Sequence, residues 1–360
     1  MQDRPAGVVG VAIVGGGLAG SLLALALRER GVAVTLIDAA LAGAPDAAPC
    51  SATAISYGAL PGWPLANTGL ARLAAQASRH WRRLQRRHGP LGWQPRALRL
   101  QGPNRALAGF SRLGLLPFSQ VDTAVFTARM PALLLQAGVQ LRPAQVRALS
   151  GAADGWRLEL TDGSLCTAPQ VVLAAGARCR QLWPALPARL RSSWATVLEL
   201  GAFPPSQGPP AAWLPQAFTR LGLERRAASL AQPEWVVDPG LVPWGSGALL
   251  GQHTWMGAEL ALTPPPDSAT CEQQLRQGLS GTAWSQAAGV VRQAPVAFCS
   301  SGGPLVGPVA QAPGLWLFTG FSAAFSQVPV LAPLLAAVVA GASAPAQQQL
   351  KQLGVWPAGG

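Results

Sequence analysis

Tyrosine and lysine are almost absent from this sequence, which holds one residue of each, Tyr57 and Lys351. Any reaction that needs a phenol therefore has a single candidate, Tyr57. Charged residues are also scarce, at 12% of the chain against 49% hydrophobic residues. A chain of this composition buries a large core, which excludes intrinsic disorder. Its 360 residues predict two lobes that are interleaved along the sequence.

Cysteines are few, and their positions argue against two kinds of site. The five cysteines, an odd number, are Cys50, Cys166, Cys179, Cys271 and Cys299. No two of them have the spacing of a metal site or of a redox-active pair. We therefore expect a reducing compartment, the cytoplasm, with no disulfide framework and no metal.

The sequence also lacks a long apolar run without interruption. The uncharged stretch from Val8 to Leu27 contains five glycines, and Asp3 and Arg4 precede it. The later apolar stretch from Val328 to Ala342 contains two prolines and is short for a membrane span. We expect neither a signal peptide nor a membrane-spanning helix.

Arginine supplies almost all of the positive charge, and the formal net charge is +12. A predicted helix over 67–88 has apolar residues at helical spacing on one face. Its other face carries Arg79, Arg82, Arg83, Arg86 and Arg87. Such a face is typical of a solvated helix surface, and it also suits the phosphates of RNA. Both interpretations are compatible with the sequence.

The N-terminal residues predict one βαβ unit. Val8 to Val14 form a β-branched apolar run that is typical of a buried parallel strand. A helix is expected from Leu18 to Arg30, closed by Gly31, and a second strand from Val32 to Ile37. Asp38 follows this second strand directly.

The turn between the first strand and the helix is the strongest signal in the chain. Glycines stand at the first, third and sixth positions of the phosphate-binding pattern, at Gly15, Gly17 and Gly20. Gly15 permits the tight turn, Gly17 lets the backbone approach a pyrophosphate, and Gly20 lets the helix pack on the strand. The N-terminal turn of the helix, at Leu18 and Ala19, then offers backbone N–H groups to the anion.

The acidic residue after the second strand completes this pattern. Asp38 lies at the spacing expected for a carboxylate that accepts hydrogen bonds from ribose hydroxyls. Only one such fingerprint occurs in the chain. A single fingerprint favours a flavin that takes its hydride from the substrate over a flavin that a nicotinamide cofactor reduces. The predicted cofactor is therefore FAD.

The rest of the sequence predicts a second lobe. Residues 184–290 combine proline clusters, many tryptophans and short apolar runs, which are typical of antiparallel sheet and long loops. We expect an α/β protein, in which a Rossmann-type FAD-binding domain is interleaved with an α+β substrate (cap) domain containing an antiparallel sheet. The predicted FAD-binding segments are 1–92, 118–183 and 291–360, and the predicted cap segments are 93–117 and 184–290.

Short blocks along most of the chain resemble the D-amino acid oxidase and glycine oxidase superfamily of FAD-dependent enzymes. Within it, the chain is similar to the oxidase domains of bifunctional tRNA wobble-uridine modification enzymes. The blocks that carry the resemblance are GGGLAG (15–20), VTLID (34–38), SA (51–52), GAL (58–60), VD (121–122), VVLAAGA (171–177), PLVG (304–307) and LWLFTG (315–320).

The resemblance implies oxidation of a small amine or amino acid by hydride transfer to FAD, with the electrons passing to dioxygen or another acceptor. It also implies that the helix after Gly320 points its positive N-terminus at the flavin ring and stabilises the reduced form. The further cofactor contacts that it implies are Ser51, Ala52, Val146, Ala174, Ala175, Gly176, Gly320, Phe321, Ser322 and Ala323.

The chain departs from the family on the substrate side. In the family, an arginine before the PLVG-like block binds the carboxylate of the substrate. Arg292 is the only arginine in that stretch, and it lies farther from Gly307 than the family spacing. We expect Arg292 either to pair with a substrate carboxylate or to be a surface ion of the cap. The loop after Gly320 reads FSAAFS where the family usually has Gly, Arg or His, which predicts a changed or apolar substrate site.

Two alternatives to small-amine oxidation stay open. One is a flavoprotein that acts on a modified tRNA base and binds tRNA through the arginine-rich helix. The other is a degenerate FAD-binding protein without turnover. The histidines leave a further choice, because only His253 lies outside the arginine-rich helix. His253 either faces the substrate pocket or is a buried structural residue.

Overall fold

The computed structural model describes residues 10–42, 50–204, 207, 209–341 and 343–357. Within these ranges the chain forms eighteen β-strands and ten α-helices. The strands are β1 (Val11–Val14), β2 (Val34–Ile37), β3 (Ala59–Pro61), β4 (Trp93–Pro95), β5 (Leu98–Gln101), β6 (Phe118–Val121), β7 (Gln140–Arg142), β8 (Val146–Ala152), β9 (Gly155–Leu160), β10 (Leu165–Ala168), β11 (Val171–Leu173), β12 (Leu190–Leu200), β13 (Ala212–Pro215), β14 (Glu234–Trp244), β15 (Gly247–Met256), β16 (Val290–Cys299), β17 (Leu305–Pro308) and β18 (Leu315–Thr319). The α-helices are α1 (Leu18–Arg28), α2 (Gly69–Ala74), α3 (Ala77–His88), α4 (Arg105–Ser111), α5 (Thr123–Gln136), α6 (Cys179–Leu182), α7 (Arg220–Arg226), α8 (Ser268–Gly278), α9 (Ala324–Val339) and α10 (Ala344–Gln352).

The first six-stranded sheet follows the predicted Rossmann pattern. Its strand order is β17-β18-β11-β1-β2-β7, and all neighbours are parallel except β17 with β18. Both β1 and β2 are buried along their whole length, as expected for strands covered on both faces. The predicted strand over 8–14 is confirmed from Val11 onward, while Val8 and Val9 lie outside the described residues.

Helix α9 covers this sheet together with α1, and it contains two prolines, Pro329 and Pro333. Because proline has no N–H, Pro329 leaves the carbonyl of Phe325 without its usual helical donor. The indole N–H of Trp81, from α3, donates to that carbonyl at 2.9 Å. A second helix thus replaces the hydrogen bond that the proline removes.

Within the described residues, no helix is long and apolar enough to cross a membrane.

The prediction of one helix over 67–88 is wrong, because the structure has two helices there, α2 and α3. The side chain of Thr68 caps the N-terminus of α2, and the chain turns at Gln76 before α3 begins. Both helices pack against α9 and contribute to one hydrophobic core, through Leu70 and Trp81 respectively. The apolar spacing therefore continues across the break, so the sequence pattern does not mark it.

The second six-stranded sheet forms the cap. Its order is β16-β12-β15-β14-β13-β5, and its strands are antiparallel except for the parallel pair β13 and β5. Two three-stranded antiparallel sheets, β10-β9-β8 and β3-β6-β4, complete the architecture of the described residues. The predicted fold class, a Rossmann-type lobe interleaved with a lobe that contains an antiparallel sheet, is confirmed.

The division into domains stays a prediction, and strand pairing bears on one of its boundaries. Strand β16 pairs with β12 along its whole length, from Val290 opposite Glu199 to Cys299 opposite Leu190. Residues 291–299, which the prediction assigns to the FAD-binding segment 291–360, are therefore hydrogen-bonded within the cap sheet. Only from β17 onward do later strands join the Rossmann sheet.

Candidate cofactor and substrate site

Four parallel strands of the Rossmann sheet end at the same edge, and the loops after them carry most of the predicted cofactor residues. Gly15 follows β1, Asp38 follows β2, Ala174 follows β11 and Gly320 follows β18. Because the carboxyl ends of neighbouring parallel strands lie side by side, the sheet brings these loops together. This carboxyl edge is where open α/β sheets bind their ligands.

Two of the predicted glycines are required by the packing of this edge. Gly15 has a φ of 108°, and a Cβ atom on it would lie 2.5 Å from the carbonyl oxygen of Ala174. A Cβ atom on Gly20 would lie 1.8 Å from the carbonyl oxygen of Gly15. Neither position accepts a side chain unless the turn between β1 and α1 moves.

Gly17 and the N-terminus of α1 form the part of the turn that suits an anion. A Cβ atom on Gly17 would have only the Thr53 hydroxyl within 4 Å, at 3.1 Å. The first N–H groups of a helix have no acceptor within it. Here the N–H of Leu18 donates to the Thr53 hydroxyl at 2.9 Å, and Ala19 follows in the same turn. Sequence reasoning missed Thr53, whose only signal is its place in the loop after Ser51.

Asp38 is held by backbone donors. One of its carboxylate oxygens accepts a hydrogen bond from the N–H of Gly16, and the other accepts from the N–H of Ala40 at 2.7 Å. The first of these contacts ties the end of β2 to the glycine turn. Because a carboxylate has about four acceptor positions, Asp38 keeps capacity for the hydroxyl groups of a ribose.

The predicted residues Ser51, Ala52 and Val146 lie outside these four loops. Ser51 is exposed and accepts a hydrogen bond within its own turn, while Ala52 is half-buried against a hydrophobic cluster of the cap. Val146 is buried at the start of β8, shortly after β7. The carbonyl of Arg142, the last residue of β7, accepts the N–H of Asp38 at 3.1 Å. Val146 therefore follows a segment that is bonded to the carboxyl edge.

Ala174, Ala175 and Gly176 continue from β11 into a short turn. The N–H of Ala174 donates to the carbonyl of Val14 at 2.8 Å, which extends the pairing with β1 to its last residue. Gly176 has a φ of 56°, and its carbonyl accepts from the hydroxyl of Thr319 at 3.4 Å. These contacts hold the turn between the ends of the two neighbouring strands.

The loop after β18 is fixed by close packing. Gly320 has a φ of 82°, and a Cβ atom on it would lie 2.7 Å from the sulfur of Cys299. Phe321 is buried, with its ring centroid 5.0 Å from that of Phe318. Ala323 precedes α9, and no side chain caps that helix. The first turn of α9 thus keeps the positive end of the helix dipole at this loop.

A buried ion pair from the cap reaches the same loop, and no sequence motif marks it. Arg220 and Glu224, one turn apart on α7, form a 2.6 Å ion pair, and the Glu224 side chain is only 6% exposed. Another nitrogen of Arg220 donates to the carbonyl of Ser322 at 3.0 Å. Burial raises the pKa of the Glu224 carboxyl, although Arg220 and the Ser322 side chain oppose that change. The pair ties the cap to the loop after β18.

Tyr57 is buried near this ion pair. Its hydroxyl donates to the carbonyl of Gly240 at 3.4 Å. Burial, and next the charge of Asp238, raises the pKa of Tyr57 well above its usual value. Asp238 in turn accepts hydrogen bonds from the N–H and the hydroxyl of Thr219, just before α7. A phenol held neutral in this way donates a hydrogen bond but does not act as a base at neutral pH.

One face of the cap sheet is apolar and packs against the loop that follows residue 50. Ala195 and Val197 on β12 and Ala294 on β16 share a hydrophobic cluster with Ile55 and Tyr57. That loop also supplies Thr53 to the glycine turn. The apolar face therefore covers the segment that borders the carboxyl edge.

Arg292 lies on the same face of β16, because it precedes Ala294 by two residues. Its guanidinium forms a 2.8 Å ion pair with Glu199 on β12, and the two side chains are 35% and 25% exposed. The structure thus pairs Arg292 with a carboxylate of the protein. A substrate carboxylate would have to compete with Glu199, so the role expected for Arg292 stays a prediction.

His253 contacts helix α8 and a tryptophan of the cap sheet. Its Nε2 forms a hydrogen bond with Gln274 at 2.8 Å, and its ring stacks on Trp235 at 5.7 Å between centroids. Burial lowers the pKa of His253. Of the two expectations for His253, the structure supports the buried structural residue.

The five cysteines are free thiols, and burial raises the pKa of Cys179 and of Cys299 to about 11. Both therefore stay protonated at neutral pH, which disfavours either as a nucleophile. Within the described ranges, no group of three or more His, Cys, Asp or Glu side chains is arranged to hold a metal ion.

Comparison with solved structures shows the same fold over nearly the whole chain. Iminodiacetate oxidase from Chelativorans sp. BNC1 matches with a TM-score of 0.69 and 18% identity, over 96% of this chain and 99% of that one. Glycine oxidase from Geobacillus kaustophilus matches with a TM-score of 0.67 and 18% identity, over 93% and 95% of the two chains. L-amino acid deaminase from Proteus vulgaris matches with a TM-score of 0.67 and 13% identity, over 95% and 96%. A comparison with curated protein sequences gives no match.

The carboxyl edge fits FAD. Gly15, Gly17 and Gly20 leave a turn and a helix N-terminus clear of side chains, as a pyrophosphate requires, and Asp38 keeps acceptors for a ribose. The family model described as DAO, FAD dependent oxidoreductase, matches residues 10–116 and 95–338. Since these matches together span most of the chain, the protein belongs to the family of FAD-dependent oxidoreductases.

Proposed function

We propose that this protein oxidises a small amine or amino acid, with dioxygen or another compound as the final electron acceptor. The observation that carries the proposal is the apolar face of the cap sheet, packed against the loop that borders the FAD-binding edge. Three structural relatives are named for iminodiacetate, glycine and L-amino acids, all of which are amines. Their names support the same class of substrate here.

FAD supplies the hydride acceptor when it is bound, and the protein binds it and orients the substrate. The N-terminus of α1 would hold the pyrophosphate, and the N-terminus of α9 would face the ring. Thr53 joins the cofactor residues, because its hydroxyl already contacts the first N–H of α1. The other residues proposed to contact FAD are Gly15, Gly17, Leu18, Ala19, Gly20, Asp38, Ser51, Ala52, Val146, Ala174, Ala175, Gly176, Gly320, Phe321, Ser322 and Ala323.

The cap would align the substrate and keep water away. Amine oxidation of this kind does not need a protein acid or base with a tuned pKa, so alignment is the main task of the protein. Val197 and Ala294 belong to the apolar cluster that joins the cap sheet to the loop after residue 50. The contact of Arg220 with the Ser322 carbonyl holds the loop after β18 in place beneath the cap. Arg292 is proposed to meet a substrate carboxylate in exchange for Glu199.

An anaerobic titration tests this function. The purified protein is expected to show the two-peaked absorbance spectrum of a flavin. Addition of glycine, sarcosine, iminodiacetate or larger amino acids in the absence of oxygen is expected to bleach it with at least one of them. A flavin that no amine bleaches would support the degenerate alternative. A colourless protein that FAD does not reconstitute would contradict the whole proposal.

A second candidate, action on a modified tRNA base, is supported by the exposed face of α3. Arg87 pairs with Glu29 at 2.9 Å, and the guanidinium of Arg82 lies 5.2 Å from the ring centroid of Trp93. Three more exposed arginines of this helix form no ion pair within the described residues: Arg79, Arg83 and Arg86.

The salt dependence of tRNA binding separates this candidate from the first. If α3 binds phosphates, replacing those three arginines with glutamine is expected to weaken binding. The log–log salt slope should also fall by about 0.7 to 0.9 for each phosphate that the variant no longer neutralises. Arg157→Gln, at an exposed position of β9, is the matched control. Salt-independent tRNA binding would exclude a role for α3. Equal tRNA binding by the triple variant and the unaltered protein would exclude it too.

A further inference from the structure

Residues 102–117, between β5 and β6, form an arm on the surface of the protein that includes α4. Ten large apolar side chains are exposed in the described residues, and four of them belong to this arm: Leu107, Phe110, Leu113 and Leu115. The last two are 65% and 69% exposed. Single exposed leucines are ordinary, but four in so short a segment form an apolar patch, and such patches mark surfaces that meet a partner.

Helix α4 has the reverse of the usual polarity. Its polar residue Ser111 is buried, and the Ser111 hydroxyl accepts from the N–H of Leu100 at 2.9 Å and donates to the carbonyl of Ala108 at 2.7 Å. Its apolar residues Leu107 and Phe110 are exposed. A helix that is only solvated presents its polar face to water and its apolar face to the core. Here the apolar side chains face outward instead.

Polar contacts at its base hold the arm in place. The Asn104 side chain caps α4 by accepting from the N–H of Leu107 at 3.0 Å. The Gln216 side chain accepts from the N–H of Asn104 at 3.1 Å and donates to the Asn104 carbonyl at 2.7 Å. Arg99 donates to the carbonyl of Ser111 at 2.9 Å. Because the backbone is already ordered, docking of the arm loses little conformational entropy.

A fifth exposed leucine borders the arm. The N–H of Gly62 donates to the carbonyl of Pro117 at 2.7 Å, where the arm returns to β6. Leu65, which is 64% exposed, follows three residues later. Three residues span at most about 11 Å, so Leu65 lies near the end of the arm and extends the apolar patch.

The arm and the segments bonded to it carry positive charge without acidic residues. Arg105 and Arg112 are exposed, and neither forms an ion pair in the part of the chain that the structure describes. The sequence from 47 to 121 holds ten arginines and no Asp or Glu. The stretch 200–223, which contains Gln216, has no Asp or Glu either. The charge of these segments therefore favours an anionic partner.

Charge and shape narrow the choice of partner. A second copy of this chain would bring Arg105 and Arg112 close to their own counterparts, because an isologous interface uses the same patch twice. Gly114, with a φ of 72°, turns the chain between Leu113 and Leu115. The exposed side chains therefore do not form the single helical stripe that fits a groove of another protein. A fluid lipid surface accepts such an irregular set.

We propose that the arm docks on the surface of an anionic lipid bilayer. Phe110, Leu113 and Leu115 enter the boundary between the headgroups and the acyl chains, and Arg105 and Arg112 meet the lipid phosphates. RNA offers phosphates too, but on RNA the two leucines would stay in water. The bilayer accounts for the apolar and the basic residues together.

Flotation of the full-length, FAD-loaded protein with lipid vesicles tests the docking without any assay of oxidation. Vesicles of phosphatidylcholine and phosphatidylserine, mixed at about two to one, are compared with vesicles of phosphatidylcholine alone. The partition coefficient is expected to be at least about tenfold higher for the anionic vesicles, since each of the two arginines favours an anionic surface about fivefold. Equal partition to both vesicles, or binding to neither, would overturn the proposal.

Two double variants separate insertion from charge. Leu113→Gln combined with Leu115→Gln is expected to lower the partition coefficient for anionic vesicles at least about tenfold. Both leucines are exposed, so the thermal midpoint of this variant should not change. Arg105→Gln combined with Arg112→Gln should lower binding to anionic vesicles by a similar factor and leave the partition to phosphatidylcholine unchanged.

The matched control is Leu165→Gln, at a leucine of β10 that is 54% exposed and lies outside the arm. Its vesicle binding should equal that of the unaltered protein. The proposal is overturned if the double leucine variant binds vesicles as well as the control does. A dimer in solution that the same variant dissociates would assign the patch to a second copy. Loss of tRNA binding in the arginine variant, without any vesicle binding by the unaltered protein, would assign the charge to RNA.

Discussion

The carboxyl edge of the Rossmann sheet and the apolar face of the cap sheet are two halves of one candidate site, and they are built differently. At the carboxyl edge the close contacts involve backbone atoms, such as the Gly15 carbonyl beneath Gly20 and the N–H groups that hold Asp38. In the cap, by contrast, the ion pairs join two side chains, such as Arg292 with Glu199. A contact between backbone atoms allows only glycine at a position. A contact between side chains requires only that the two residues match each other.

This difference predicts different responses to substitution. A position where backbone approaches backbone accepts glycine alone, because any Cβ atom collides with a group that has no freedom to move. A pair of side chains depends instead on burial, since the surrounding medium sets the strength of the interaction. Single substitutions should therefore disrupt the edge uniformly and the cap unevenly, and the following five predictions test that contrast.

The largest effect is expected from Gly20→Ala. The new Cβ atom would lie 1.8 Å from the Gly15 carbonyl oxygen, so the turn has to move. We expect loss of FAD retention and a decrease of more than about 4 kcal/mol in the free energy of unfolding. Gly109→Ala on α4, where a Cβ atom meets nothing within 4 Å, is the control and should not destabilise the protein. Equal flavin content in both variants would contradict the prediction that the carboxyl edge accepts only glycine at this position.

The second largest effect is expected from Glu224→Gln. This change leaves the half-buried guanidinium of Arg220 without its carboxylate, and urea unfolding should show a loss of about 3 kcal/mol. The control is Glu272→Gln on α8, whose pair with Arg276 has the same spacing and the same 2.6 Å distance. The Glu272 and Arg276 side chains are 33% and 31% exposed, so its loss should stay below about 1 kcal/mol. Similar losses would mean that burial does not decide the strength of these pairs.

Trp81→Phe should have an intermediate effect. It removes the N–H that replaces the donor missing at Pro329, so the buried Phe325 carbonyl loses its partner. We expect the free energy of unfolding to fall by about 1–3 kcal/mol. Trp316→Phe, which removes a 2.9 Å hydrogen bond to Gln170 at a half-buried position, should have a smaller effect. The reverse order would show that another donor serves the Phe325 carbonyl.

Acidification should weaken the cap through His253. Burial places the pKa of folded His253 below the ordinary value of 6.5. Between that lowered pKa and 6.5 the unfolded chain binds more protons, so stability falls as the pH falls, by up to about 1.4 kcal/mol per pH unit. His253→Phe should flatten this dependence. His80→Gln, which removes another histidine with a lowered pKa, gives the reference, and an unchanged slope in His253→Phe would count against the prediction.

The smallest effect on stability is expected at Arg292 and Glu199. Their side chains are 35% and 25% exposed, so a double-mutant cycle should give a coupling of about 0.2–1 kcal/mol. Kinetics sharpen the same comparison. If Arg292 meets a substrate carboxylate, Arg292→Gln should raise KM for an amino acid at least about tenfold and leave KM for an amine without a carboxylate unchanged. An unchanged KM for both substrates would assign Arg292 to the cap alone.

The βαβ unit of the Rossmann sheet was predictable because its elements are local. Strands β1 and β2, the helix between them and the spacing of Gly15, Gly20 and Asp38 all lie within one short stretch. A Cβ atom on Gly20 would collide with the carbonyl of Gly15 in the same turn, so the reason for this glycine lies within the motif itself. The same reasoning predicted the antiparallel cap from its composition but not the pairing of its strands.

The missed features depend on contacts between distant segments. Thr53 reaches α1, and Arg220 reaches the carbonyl of Ser322, across long stretches of chain. Neither residue belongs to a motif, and no known sequence spacing predicts a hydroxyl or guanidinium contact at such positions. The break between α2 and α3 was missed for a related reason, since both helices turn apolar residues toward α9.

The order of strands has a consequence for how the protein is made. Strand β11 lies between β1 and β18 in the sheet, yet the cap strands β12 to β16 separate β11 from β18 along the chain. During synthesis, one edge of β11 therefore stays unpaired until residues 315–319 have left the ribosome. Pairings of such long range also slow folding. The nascent chain is thus expected to expose a short, apolar strand edge until β18 has been made, and to need chaperones during that interval.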